Sequence, residues 1–174
     1  LIVDLKKADI HLPTEVIKRI DEQIQLVATK NVHIRVGALE MAISLIRAET
    51  VKILLQNTSP VVFTGFSMGG FCATGYAFIF SVLIKPILLS VHENRIFNYY
   101  LAGSVRVGNV AFSEYLQESY PNSCHLTAMV GVTTMINGQS IGTFEPDPVS
   151  LIPREEKNVE NTTLVSTYPN YIVV

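Results

Sequence analysis

Apolar residues recur at spacings of three and four through Val16, Ile17, Ile20, Ile24 and Val27, with charged residues between them. This pattern predicts an amphipathic helix from Thr14 to about Ala28, with Thr14, after Pro13, as its cap. A second helix is predicted from about Ala38 to Gln56, where Leu39, Ala42, Ile43, Ile46, Val51 and Leu54 share a face and Glu40, Arg47 and Lys52 can point to water. Asn57 to Pro60 ends it, since the residue before a proline leaves the helical region. Val61-Val62-Phe63-Thr64 is short, β-branched and uncharged, which predicts a strand buried on both faces of a parallel sheet. From Gly70 to about Ile84 the chain is small and apolar, with Ala73, Ala77, Phe80 and Ile84 in helical phase. A buried helix is expected there, stopped by Lys85-Pro86.

Ile96 to Leu101 predicts another strand, and Gly103 and Gly108 bracket a turn before Asn109, which is expected to cap a helix through about Glu118. Cys124 to Val130 predicts a third strand, and the Gly- and Thr-rich stretch from Gly131 to Gly142 has no assigned element. Strands alternating with helices predict an α/β fold with a mostly parallel sheet and right-handed crossovers. The length of 174 residues suits one domain, 1–174, and no internal repeat interrupts it.

Thirteen Lys plus Arg against fifteen Asp plus Glu leave a net charge of −2, with a pI near 6.1. No basic field is available to attract nucleic acid, which removes that class of partner. Hydrophobic residues make up 48% of the chain and charged residues 16%, which excludes intrinsic disorder. The mean hydropathy of +0.33 requires a membrane span to be considered. The charge-free stretch from Ile53 to Ile84 is broken by Asn57, Pro60, Gly65, Gly69-Gly70 and Gly75, whereas a span needs ~20 continuous apolar residues, so no transmembrane segment is expected. Cys72 and Cys124 lack metal-ligand spacing and leave one disulfide open. Asn57-Thr58-Ser59 and Asn161-Thr162-Thr163 fit the N-glycosylation pattern, which matters only in a secreted protein. The opening at Leu1 and the β-prone close at Tyr171-Ile172-Val173-Val174 suggest a chain truncated at both ends.

Gly65-Phe66-Ser67-Met68-Gly69 fits G-x-S-x-G. Alone the pattern arises by chance in about one chain of this length in twenty. Here it lies between a predicted strand and a predicted helix, where a sharp turn would hold the serine in a strained conformation and the glycines Gly65, Gly69 and Gly70 would spare colliding Cβ atoms. Ser67 is then a candidate nucleophile, and the Met68 backbone N–H at the helix N-terminus a candidate oxyanion donor. A serine nucleophile needs a base and an acid that orients it. Asp147, in the proline-bounded run Pro146 to Pro153, is the candidate acid. His11, His33, His92 and His125 all precede Asp147, whereas the α/β-hydrolase order is serine, acid, histidine, so none of them fits as the base.

On these residues the chain resembles the class 3, fungal-lipase-like group of α/β hydrolases over most of its length. Val61 to Gly70, VVFTGFSMGG, resembles the family's strand and elbow, V-x-T-G-H-S-L-G-G. Leu101 to Phe112, LAGSVRVGNVAF, is similar to F-G-x-P-R-V-G-x-x-x-F, and DPVSLIP from Asp147 to D-x-V-P-x-L-P, which carries the catalytic acid. Leu1 to Pro13 resembles a lid-proximal W-x-x-D-L segment, and Val32-His33 the V-H before the first long helix. Phe66 stands where the family has His or Tyr, and Val105 where it has proline. The Thr14 helix has no counterpart, and Gly131 to Glu145 looks inserted, so an ungapped reading would put Thr134 at the acid position. The strand ending in R-G-T, with the second oxyanion donor, would precede Leu1, and the catalytic histidine would follow Val174.

The resemblance implies a partial α/β-hydrolase fold and a serine ester hydrolase, a lipase or carboxylesterase acting on triacylglycerol or other acyl esters, with no metal or organic cofactor. Peripheral contact with a lipid surface, and a secreted or lipid-associated location, accord with it. Residues 1–174 alone are expected to hydrolyse little. The alternative is a catalytically inactive lipase-like interaction module, because folds outlive their chemistry.

Overall fold

In α1 (Thr14–Thr29), the expected stripe packs inward through Val16 and Ile20, both buried, while Ile17 and Ile24 stay exposed. The computed structural model describes residues 10–102, 104–127, 129–136, 139–146 and 171–173. Pro13, at φ −58° and ψ 150°, precedes the helix, and no side chain caps it. Thr14 is therefore the first helical residue and not the cap.

The predicted Ala38–Gln56 helix is two helices, α2 (Val36–Leu45) and α3 (Ala48–Leu55), separated by extended Ile46 and Arg47. The cause is phase. Nine residues separate Ala42 from Val51, and at ~100° per residue an unbroken helix would put them on opposite sides. The break lets Ala38, Ala42 and Val51 all reach zero exposure. Ile43, expected on the buried face, is exposed instead.

β1 (Val61–Phe66) runs directly into α4 (Met68–Ile79), a π-helical turn (Phe80–Ile84) and α5 (Lys85–Leu89). The expected stop at Lys85-Pro86 does not occur. Proline lacks an N–H, and in a regular α-helix its ring meets the carbonyl four residues back. The π turn widens the helix just before it, with Lys85 N–H bonded to Phe80 C=O, and the axis continues past Pro86. The resulting Met68–Leu89 helix of 22 residues is long and apolar enough to cross a membrane, but 67% of its most apolar window is buried inside the fold, as in a core helix.

β2 (Phe97–Ala102) lies parallel to β1, and α6 (Val110–Ser119) follows. Asn109 caps α6 as expected, its Oδ1 accepting from Phe112 N–H at 2.9 Å. β3 (Cys124–Thr127) is shorter than predicted, because Met129 already begins β4 (Met129–Ile136), which pairs antiparallel with β5 (Gln139–Pro146). The described part of the unassigned Gly131–Gly142 stretch thus belongs to two paired antiparallel strands that precede Asp147 in the chain. β6 (Tyr171–Val173) adds parallel to β3, giving a four-stranded parallel sheet in the order β1-β2-β3-β6. The class is α/β. β1 is the outermost of the described strands and is not buried on both faces: Phe63 is buried, but Val62 is 50% and Phe66 74% exposed.

The covered face of the sheet meets α4 and the π turn through a cluster of rings. Phe63 packs edge-on against Phe80 at 5.0 Å and Tyr120 at 5.9 Å, and Tyr99 against Tyr120 at 5.6 Å. Tyr120 Oη donates to Ala77 C=O at 2.6 Å. At the start of the strands, buried Arg95 ties the ends of the α3–β1 connection through Leu54 C=O and Ser59 C=O.

Burial lifts the Tyr76, Tyr115 and Tyr120 hydroxyls above their ordinary range, Tyr120 well above. Burial, reinforced by Cys124, pushes Tyr99 up to about 12. Folding therefore favours the protonated phenols, and that contribution is present in full below the ordinary tyrosine pKa of about 10 and is lost as pH rises through the folded values. Alkaline titration should show tyrosinate absorbance and loss of circular dichroism rising together above about pH 10. Stepwise tyrosinate formation with the helical signal intact to pH ~12 would show that these rings are accessible in the folded state.

Candidate functional site: a strained serine between strand and helix

A single residue, Ser67, separates the end of β1 from the first residue of α4. Its backbone sits at φ 51° and ψ −120°, a conformation that costs a side-chain-bearing residue roughly 1–3 kcal/mol. The surroundings hold it there. Ser67 N–H donates to Ala102 C=O at 3.1 Å, tying it to the end of β2, and Ser67 C=O accepts from Phe71 N–H at 3.1 Å, the first bond of α4.

The glycines divide into two kinds. A Cβ on Gly65 would lie 2.3 Å from Gly69 C=O and 2.6 Å from Gly70 N, so the first turn of α4 folds back directly over the strand. A Cβ on Gly70 would lie 2.6 Å from that of Ser104, which follows β2 and is buried. A Cβ on Gly69 would meet nothing within 4 Å. The steric role expected of all three holds for Gly65 and Gly70 and not for Gly69. Ser104, a small residue just beyond β2, completes the turn, and no sequence pattern had marked it.

Met68 N–H makes no hydrogen bond among the described residues, as suits the first turn of a helix, where four amides lack intrahelical partners. It therefore faces outward beside Ser67 with the positive end of the α4 dipole behind it. Ser67 Oγ neither caps the helix nor bonds to any described residue. Phe66 and Met68, on either side, are 74% and 60% exposed, so the hydroxyl is flanked by apolar side chains.

The described histidines do not assemble beside it. His92 Nε2 lies 2.8 Å from Leu55 C=O. It precedes the start of β2, roughly 20 Å along the sheet from the serine end. His33 is held on the other side of the chain's α6 entry, its N–H donating to Asn109 Oδ1 at 3.1 Å and its C=O accepting from Asn109 N–H at 3.1 Å. His11 is exposed ahead of α1. His125 belongs to β3, level with Leu101, which is itself level with Gly65, so two strand spacings, about 10 Å, separate its backbone from the elbow. Asp147 lies outside the described residues. Thr134 sits within β4 opposite Ile141, on a hairpin strand.

Two segments singled out by the family resemblance meet. Arg35 N–H donates to Val107 C=O at 2.8 Å, and Ile34 bridges Gly108, so the stretch after Val32-His33 is bonded to Arg106-Val107-Gly108-Asn109 across more than seventy residues. Asn109 Nδ2 adds a bond to Asn31 C=O at 2.9 Å.

Two clefts, of about 380 and 680 Å³, lie between α1, α5 and their neighbours, and neither includes Ser67. Cys72 and Cys124 are unbridged. Among the described residues no cluster of three His, Cys, Asp or Glu could hold a metal ion. Among the described residues, the elbow alone combines a strained nucleophile-type side chain with an outward amide. Neither a protein-family model, nor a curated protein, nor a solved structure matches the chain.

Proposed function

We propose that this chain carries the nucleophile elbow of a serine ester hydrolase of the α/β-hydrolase type, similar to class 3 lipases and acting on lipid or other acyl esters. The observation that carries the reading is the backbone of Ser67, held at φ 51° between a parallel strand and a helix N-terminus, with Gly65 and Gly70 at close approach. In this scheme Ser67 Oγ attacks the ester carbonyl and the Met68 N–H stabilises the oxyanion that develops. A histidine supplied from outside residues 1–174 takes the serine proton and returns it to the leaving alcohol, oriented by Asp147. Water then releases the acyl group by the reverse proton path. Acyl transfer of this kind needs no organic cofactor or metal. Exposed Phe66 and Met68 give the serine apolar flanks suited to an acyl chain.

The natural full-length polypeptide carrying these residues is expected to hydrolyse short-chain p-nitrophenyl esters, and Ser67→Ala to lower kcat by at least ~10³-fold. Unchanged rates in that variant contradict the assignment. A second reading, the inactive interaction module, is favoured by one observation: no described residue hydrogen-bonds to Ser67 Oγ. It predicts a folded full-length protein with no ester hydrolysis above background.

A further inference from the structure

The smaller cleft, of about 380 Å³, lies between α1, the far end of the Met68–Leu89 helix and α6. Lys85, on its wall, stands about 25 Å along that helix from Met68 at ~1.5 Å per residue, far from the elbow. The charges around the cleft are matched in different ways. Glu118 pairs with Lys30, Glu22 with Lys18 at 3.9 Å and Arg19 with Glu15 at 3.7 Å, in largely exposed pairs. Lys85 lies deeper: its Nζ donates to the neutral Ser119 C=O and sits 5.4 Å from the centre of the Phe97 ring and 5.1 Å from that of Tyr120. Burial lowers its pKa, the mark of a cation whose lost hydration is only partly replaced. An ammonium has three hydrogens, and the Ser119 carbonyl takes one of them. The adjoining wall is apolar, built from Leu26 of α1 and Pro86 and Leu89 of α5.

We propose that this cleft binds a small carboxylate with an apolar tail, the carboxylate on Lys85 Nζ and the tail along Leu26, Pro86 and Leu89. A desolvated cation is stabilised most by an acid that accepts its remaining hydrogens, and the cleft gives a ligand room to supply one. The occupant is a monoanion, because Glu22 and Glu118 on the same walls repel a dianion such as phosphate. It carries a tail, because the surface beside the ammonium is hydrocarbon, whose removal from water favours binding. It is small, because 380 Å³ stands near the lower end of the roughly 300–1,000 Å³ of ligand sites. Ester hydrolysis at Ser67 would release carboxylates of this kind, but the site rests on Lys85 and its walls and not on that reading.

Calorimetric titration of the 174-residue chain with octanoate, at neutral pH and below the concentration at which octanoate forms micelles, should show one saturable site. Lys85→Met keeps an apolar stem over the two rings and removes the charge, so octanoate affinity should fall by at least ~10-fold. Octanol, which lacks the charge, and acetate, which lacks the tail, should each bind at least ~10-fold more weakly than octanoate. In the unmodified chain, octanoate should slow acetylation of Lys85 by acetic anhydride, read by mass spectrometry, and leave exposed Lys18 unaffected, which decides the matter even if Lys85→Met folds poorly. Absence of saturable binding, unchanged affinity in a folded Lys85→Met variant, octanol binding as tightly as octanoate, or an unprotected Lys85 overturns the proposal. Displacement of octanoate by an equal concentration of inorganic phosphate does so too, by assigning the cleft to another anion. The test uses no ester and no reaction at Ser67, so either reading can fail without the other.

Discussion

Gly65→Ala is expected to destabilise the fold by on the order of 4 kcal/mol or more, enough to unfold a domain of ordinary marginal stability. The new methyl carbon would lie 2.3 Å from Gly69 C=O and 2.5 Å from its carbon, both backbone atoms of the first turn of α4, so no side-chain rotation relieves the clash. Relief requires α4 to move away from β1, which breaks the Ser67–Ala102 bond and opens the packing of Phe63 against Phe80. Gly69→Ala, in the same motif, should be neutral or stabilising by ~0.5–1 kcal/mol, because its Cβ meets open space and alanine lowers the entropy of the unfolded chain. Urea denaturation midpoints of the two variants test the contrast. Equal losses would show that close approach of helix to strand is not what constrains the turn.

Ser67→Gly is expected to fold more stably than Ser67→Ala, by ~1–2 kcal/mol, although both lose hydrolysis in the full-length polypeptide. Alanine keeps the Cβ that opposes φ 51°, whereas glycine adopts that backbone without cost. A more stable variant with no activity would mean that the turn stores strain for the sake of the hydroxyl's position, a trade-off characteristic of catalytic sites. Comparable stabilities for glycine and alanine would remove the strain from the account. Hydrolysis at the original rate in either variant would remove the serine.

The elbow was legible because its requirements are local: a β-branched strand, a one-residue turn and a small-residue helix adjoin in the sequence. Asn109 was legible for the same reason, since a cap acts within one turn. The break at Ile46-Arg47 was partly legible. Ala42 and Val51 are half a helical turn out of phase, a conflict that one continuous helix ignores. The antiparallel pairing of β4 with β5 was not legible from periodicity, because glycine and threonine blur the alternation from Gly131 to Gly142. Other features depend on distant partners. Pro86 stays within a helix because a π turn precedes it, and β1 exposes Val62 and Phe66 because their side chains lie on the face of the sheet opposite buried Phe63. The β-branched run of β1 cannot distinguish a central strand from an edge, because pairing partners are set by topology. The role of Ser104 likewise appears only once β2 and α4 lie side by side.

Covalent labelling tests the nucleophile role of Ser67 directly. The natural full-length polypeptide carrying these residues would be treated with a fluorophosphonate probe, digested, and the modified peptide read by mass spectrometry, with Ser67→Gly as control. A single adduct on Ser67, absent from the control, is expected. A folded protein that leaves Ser67 unlabelled, or that carries the adduct on another residue, would contradict it.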